Sequence, residues 1–70
     1  MKNHIYKKIE IAGSSEKSIQ DAVERGIAKV SKTVRNMRWF ELVNVRGHID
    51  GTKVEHWQAT VKIGFDVDED

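Results

Sequence analysis

The chain has no cysteine, so no disulfide can brace it. Its three histidines, His4, His48 and His56, are scattered, and no third ligand stands at metal-site spacing, so no metal site is expected. At 70 residues the chain reads as one domain spanning 1–70, and a domain near this length hides only about 60% of the surface its unfolded chain exposes. Small folds make good that shortfall with disulfides, a structural metal or partner subunits. Oligomerisation is the device left open.

An excess of charge is missing too. Twelve Lys and Arg stand against eleven Asp and Glu, a formal charge of +1, which provides no basic field to draw nucleic acid. No apolar run approaches the ~20 residues of a membrane span, and no hydrophobic segment follows the basic start "MKNHIYKK" as it would in a secretory signal. The expectation is a cytoplasmic protein without nucleic-acid or membrane partners. A nucleophile beside a general base is also lacking. Asp66, Asp68, Glu69 and Asp70 sit in an acidic tail expected to fray from about residue 66, and Glu41 is the one strand carboxylate suited to a pocket. Enzyme activity is not expected.

What is present is periodic. "IYKKIEIA", Ile5 to Ala12, alternates in the manner of a half-buried strand, with Ile5, Ile9 and Ile11 on one face. Gly13 is expected to turn the chain, and Ser14 or Ser15 to cap a helix, with Glu16 placed against its dipole. The free amides of "GSSEKS" would also suit a phosphate, a reading weaker than the plain cap. Ile19, Ala22, Val23, Gly26, Ile27, Val30 and Val34 then recur at three- and four-residue steps, predicting an amphipathic helix of roughly five turns. Gly26, on or beside the apolar stripe, is expected where the helix meets the sheet.

Two further strands follow, Trp39 to Asp50 and Lys53 to Val67, joined by the turn signal "DGT". The predicted fold is α+β: β-α-β-β, a three-stranded antiparallel sheet with one long amphipathic helix across its apolar face. With a turn near Gly51, Trp39 should sit across from a residue near Ile63 to Phe65, and Gln58 across from Asn44 or Val45. Trp39 and Gln58 would then be about 20 Å apart at ~3.4 Å per residue. Two chains about a two-fold axis could bring one tryptophan to the other's glutamine. An indole face suits a flat heteroaromatic ring. A glutamine amide can read the edge of such a ring, and an arginine such as Arg46 can meet a phosphate. That set fits an aromatic nucleotide or a flavin. Trp39 as mere packing at a subunit interface is the other reading, and the chain would then be an interaction oligomer without a ligand. His48 and His56 should face each other across the hairpin.

Over nearly its whole length the chain resembles the dodecins, small flavin-binding proteins. "YKKIEIAGSSEKS" is similar to their first strand and strand-to-helix turn, "RWFELVNVRGHI" to their second strand and "WQATVKIGFDV" to their last. The most specific points are the Trp39–Phe40–Glu41 run, Gln58 nineteen residues after the tryptophan, and Gly64–Phe65. The resemblance implies a homododecameric shell that stores and protects flavin at two-fold interfaces, with Trp39 stacked on the ring and Gln58 at its polar edge. Arg46 followed by Gly47 is similar to the bacterial type, which implies FMN ahead of riboflavin or FAD, with coenzyme A as a further ligand of bacterial members. Asn44 and His48, on the strand face of Arg46, are implied as contacts to the rest of the flavin.

Overall fold

The alternating apolar residues of three segments resolve into strands around a single helix. In the computed structural model, which describes residues 3–68, the order is β1 (Tyr6–Ser15), α1 (Ile19–Val30), β2 (Met37–Asp50) and β3 (Lys53–Asp66). β3 is the central strand, antiparallel to both β1 and β2. Its alternate residues Ala59, Val61 and Ile63 are buried, opposite Gly13, Ile11 and Ile9 of β1 and Val45, Leu42 and Phe40 of β2. Partners in an antiparallel ladder share a face, so this is the face on which α1 lies, through Ala22, Val23 and Ile27.

The helix is where expectation and structure part. It has 12 residues, about three turns at 3.6 residues each rather than five, and it is not the long helix the apolar spacing predicts. Beyond Val30 the chain enters turns in which the Ser31 and Thr33 hydroxyls donate back to the carbonyls of Ala28 and Val30. Such local bonds compete with helix propagation. Asn36, at φ 63°, then makes the left-handed step into β2 that an asparagine tolerates.

The start of the helix also moves. Gly13 does not turn the chain; β1 runs through it to Ser15, paired with Ala59 to Trp57 of β3. The cap is Ser18, whose Oγ accepts from the Asp21 amide at 3.0 Å. Ser15 is buried and braces the corner, accepting from the Lys17 amide at 2.9 Å and donating to Asp21 at 2.6 Å. The Lys17 and Asp21 amides are thus already satisfied, which removes them from the phosphate reading of this turn. Ser18→Ala should lower stability by about 1 kcal/mol, read as a lower urea midpoint at unchanged slope; an unaltered midpoint would contradict the cap.

Gly26 lies against the sheet as expected. A Cβ there would stand 3.0 Å from Ile11 Cδ1, and a Cβ on Gly13 would run into the carbonyl oxygen of Ala22. Two glycines therefore let helix and strand meet at backbone distance.

The acidic tail begins within the described residues. Asp66 ends β3, its amide donates to the Asn36 carbonyl, and the Val67 amide donates to the Ile5 carbonyl, each at 3.0 Å. Glu69 and Asp70 lie outside the described residues.

Among the described residues the buried apolar core consists of Ala22, Val23, Ala59, Val61 and Ile63. No residue of β2 is buried. The radius of gyration is 14.5 Å and the extents are 54 × 20 × 15 Å, whereas a compact 70-residue domain would have a radius of about 11 Å. The excess is the β2–β3 hairpin, which runs on past the end of its pairing with β1. Phe40, Leu42, Val43, Val45 and Ile49 are all exposed along it.

Candidate functional site

The face of the sheet away from α1 carries the polar partners of the alternation. From β1 come Tyr6, Lys8 and Glu10, from β3 Gln58, Thr60, Lys62 and Gly64, and from β2 Trp39, Glu41, Asn44, Arg46 and His48. The β2 set mixes odd and even positions, which a regular strand would send to opposite faces. Bulges reconcile them. Leu42 pairs with Val61 and Asn44 with Thr60, leaving Val43 as an extra residue that returns the even positions to the face of Trp39 and Glu41.

A second bulge sets the glutamine. Ile49 pairs with Val54 but His48 with His56, so Glu55 is extra on β3, and Gln58 stands opposite Arg46 rather than Asn44 or Val45. His48 and His56 face each other as expected, rings stacked with centroids 5.4 Å apart. Asn44, Arg46, His48 and Gln58 thus form one polar cluster on the hairpin. Among the described residues Arg46 pairs with no carboxylate.

Gly47 stands apart from that cluster. It pairs with Trp57 and so falls on the helix face, where a Cβ would come within 2.9 Å of the His56 carbonyl oxygen. It permits close approach of the two strands beside the bulge.

Trp39 lies at the other end of the same face, opposite Gly64. Three consecutive atoms of the benzo ring, Cε2, Cζ2 and Cη2, crowd almost equally the point where a Gly64 Cβ would be. The indole therefore rests flat on the glycine, and its far side is open, with 39% of the residue exposed. Tyr6 meets it edge-on at a centroid distance of 4.9 Å. On the helix side Phe40, 50% exposed, lines an open hollow of about 300 Å³ with Ile27, Met37 and Ile63. Neither ring is sealed in its own chain.

Beside the indole, Lys8 Nζ donates to Glu41 Oε1 at 2.6 Å across the central strand. That hydrogen bond and the ammonium charge, with a smaller contribution from Lys62, hold the Glu41 carboxyl below its ordinary 4.5. Because the folded value is the lower one, the pair's contribution to stability is complete above the unfolded value and is lost as pH falls through the folded value. Lys8→Met should return the Glu41 midpoint toward 4.5, followed by carboxyl-carbon NMR. A midpoint that stays put would show the pairing to be absent in solution.

From Gly64 to Gln58 is six residues along β3, roughly 20 Å at ~3.4 Å per residue. One chain holds the indole and the amide on one face but does not bring them together. The arrangement offers an aromatic plate, a separate hydrogen-bonding cluster with a free guanidinium, and an exposed apolar strand between them.

Comparison with known proteins agrees with this architecture. The family model described as Dodecin matches residues 5–68. A curated dodecin of Thermus thermophilus is 35% identical over 65 residues, which cover 93% of this chain and 94% of that protein. Among solved structures, the dodecin from Streptomyces davaonensis is 41% identical with a TM-score of 0.88, covering 97% of this chain and all of that one. The dodecin from Streptomyces coelicolor is 38% identical with a TM-score of 0.88 over the full length of both. No helix among the described residues is long and apolar enough to cross a membrane. The near-complete match at this identity, on the same β-α-β-β frame, places the chain in the dodecin family.

Proposed function

We propose that this protein binds flavin, FMN ahead of riboflavin or FAD, and stores and photoprotects it within a homododecameric shell, without catalysing a reaction. The observation that carries the reading is Trp39: an indole fixed flat on Gly64 with its outer face open. Laying an aromatic plate on a glycine leaves that plate rigid and ready to stack, so little rotamer freedom is lost on binding. Gln58, carrying a donor and an acceptor, suits the edge of an isoalloxazine ring. Arg46 beside it suits the phosphate that distinguishes FMN from riboflavin, and Asn44 and His48 lie on the same face for the ribityl chain. Gly47, whose Cα belongs to the other face, enters the proposal only through its backbone. Coenzyme A as a second ligand rests on the family resemblance alone.

The same geometry requires partners. With the plate about 20 Å from the amide, a single flavin is contacted by both only when two chains meet, and β2, with no buried residue, supplies apolar surface for that meeting. A flavin pressed on an indole loses its excited state by electron transfer, which is protection without turnover. The reading is tested by titrating FMN with the protein and following flavin emission. Strong quenching that saturates at a fixed ratio of flavin to chain is expected. Undiminished emission at saturating protein would favour the ligand-free oligomer.

A further inference from the structure

Just before β1 and at the end of β3, three side chains with metal-ligand chemistry converge. His4 Nδ1 lies 3.1 Å from Asp66 Oδ2 and 3.3 Å from Asp68 Oδ2, and one ligand atom from each of the three residues falls within 4.8 Å of the others. We propose that His4, Asp66 and Asp68 bind a divalent first-row cation of the zinc type, clasping the strand that opens the chain to the strand that closes it.

Ligand spacing fits. Bonds of about 2.0–2.1 Å in a tetrahedral zinc site put neighbouring ligand atoms about 3.3 Å apart, close to the two nitrogen–oxygen separations of 3.1 and 3.3 Å, with the two carboxylates drawn together by the ion. Hydrogen bonding leaves the cluster incomplete, because a neutral imidazole has one N–H at most on Nδ1 and faces two carboxylate oxygens. A divalent ion would take the nitrogen lone pair and both oxygens together and would relieve the repulsion between two adjacent carboxylates. The imidazole argues for zinc, cobalt or nickel over calcium, which takes six to eight oxygens.

The ligands are also held from behind. The Asp68 amide donates to Asp66 Oδ1 at 2.8 Å and the Ile5 amide donates to Asp68 Oδ2 at 3.1 Å, so backbone donors fix both carboxylates. The Asp66 side chain is only 10% exposed, which limits the water competing for the ion. Three protein ligands leave a fourth position for water. The cluster adjoins the aromatic plate, since the His4 ring lies 6.1 Å from that of Tyr6, which packs on the indole, but its three ligands are distinct from Trp39 and Gln58.

The test is a zinc titration of the full chain, with NMR of the histidine ring protons as one readout and the visible spectrum of the cobalt-substituted protein as the other. One ion per chain is expected, with the His4 signals shifting while those of His48 and His56 stay in place, and with cobalt bands of a four-coordinate nitrogen and oxygen set. His4→Ala and Asp68→Asn should each weaken zinc binding by more than about tenfold, with an unchanged far-ultraviolet circular dichroism spectrum and unshifted His48 and His56 signals as proof of an intact fold. His48→Gln should leave zinc binding unaltered. Absence of zinc binding at millimolar concentration, or binding that survives His4→Ala, or shifts confined to His48 and His56, would each overturn the proposal.

Discussion

Replacing Trp39 by alanine should weaken FMN binding roughly 5- to 150-fold, the equivalent of the ~1–3 kcal/mol that aromatic stacking contributes per base, and should abolish most of the quenching. The size of the effect follows from the ring's position. Its inner face is taken up by Gly64 and Tyr6 packs against it in a T-shaped contact, so the face turned away from Gly64 is the surface offered to a ligand. Trp39→Phe should keep part of the affinity, since a smaller plate remains. The other tryptophan is the internal control: Trp57 pairs with Gly47 on the helix face, and Trp57→Phe should leave quenching close to the original. Full quenching in a folded Trp39→Ala variant would remove the indole from the site.

The second large effect is on stability. Gly13→Ala places a methyl group where the Ala22 carbonyl oxygen stands, and that oxygen is backbone of the helix, unable to swing aside as a side chain would. The helix must lift from β1, which opens the packing of Ala22 and Val23 on Ala59, Val61 and Ile63. Overpacking of this kind costs about 1–3 kcal/mol and sometimes more, a large share of what so small a core supplies. Urea unfolding should show a midpoint well below that of the original protein. Gly26→Ala makes a useful contrast: its neighbour is the terminal methyl of Ile11 at 3.0 Å, which can shift, and up to ~1 kcal/mol of helix propensity is regained. Its midpoint should move far less. Equal midpoints for the two variants would contradict the close backbone contact at Gly13.

Much of this fold is written in periodicity, and what escapes periodicity escapes for definite reasons. Ile9 and Ile11, the run from Ala59 to Ile63 and the turn at Gly51 mark strands and hairpin directly, and Gly26 on an apolar stripe marks the helix contact. Val34 misleads, because it continues the helical spacing after the Ser31 and Thr33 hydroxyls have diverted the backbone. Ser15 looks like a cap until the ladder with Trp57 claims it for β1. The extra residues Val43 and Glu55 leave no local mark, since a bulge is defined by the partner strand's count, yet they decide that Arg46 faces Gln58 and that both share the face of Trp39.

The candidate site divides in the same way. Trp39, Gln58 and Arg46 stand out by residue type on predicted strands, and the separation of the first two follows from hairpin arithmetic. The flat seat on Gly64 does not, because a glycine near a strand end has no one meaning in sequence. Least legible is the meeting of His4 with Asp66 and Asp68, whose sequence distance hides them until β1 and β3 pair.

The central claim is that each flavin is shared, indole from one chain and amide from another. Coexpressing Trp39→Ala chains with Gln58→Ala chains in equal amounts tests it, because a two-fold pair of unlike chains contains one intact site. Random pairing should restore about a quarter of the original sites, measured as tight FMN binding in assemblies near 96 kDa, twelve times the 8.0 kDa chain. Binding in the mixture no greater than the average of the two parent variants would show that indole and amide do not meet across chains.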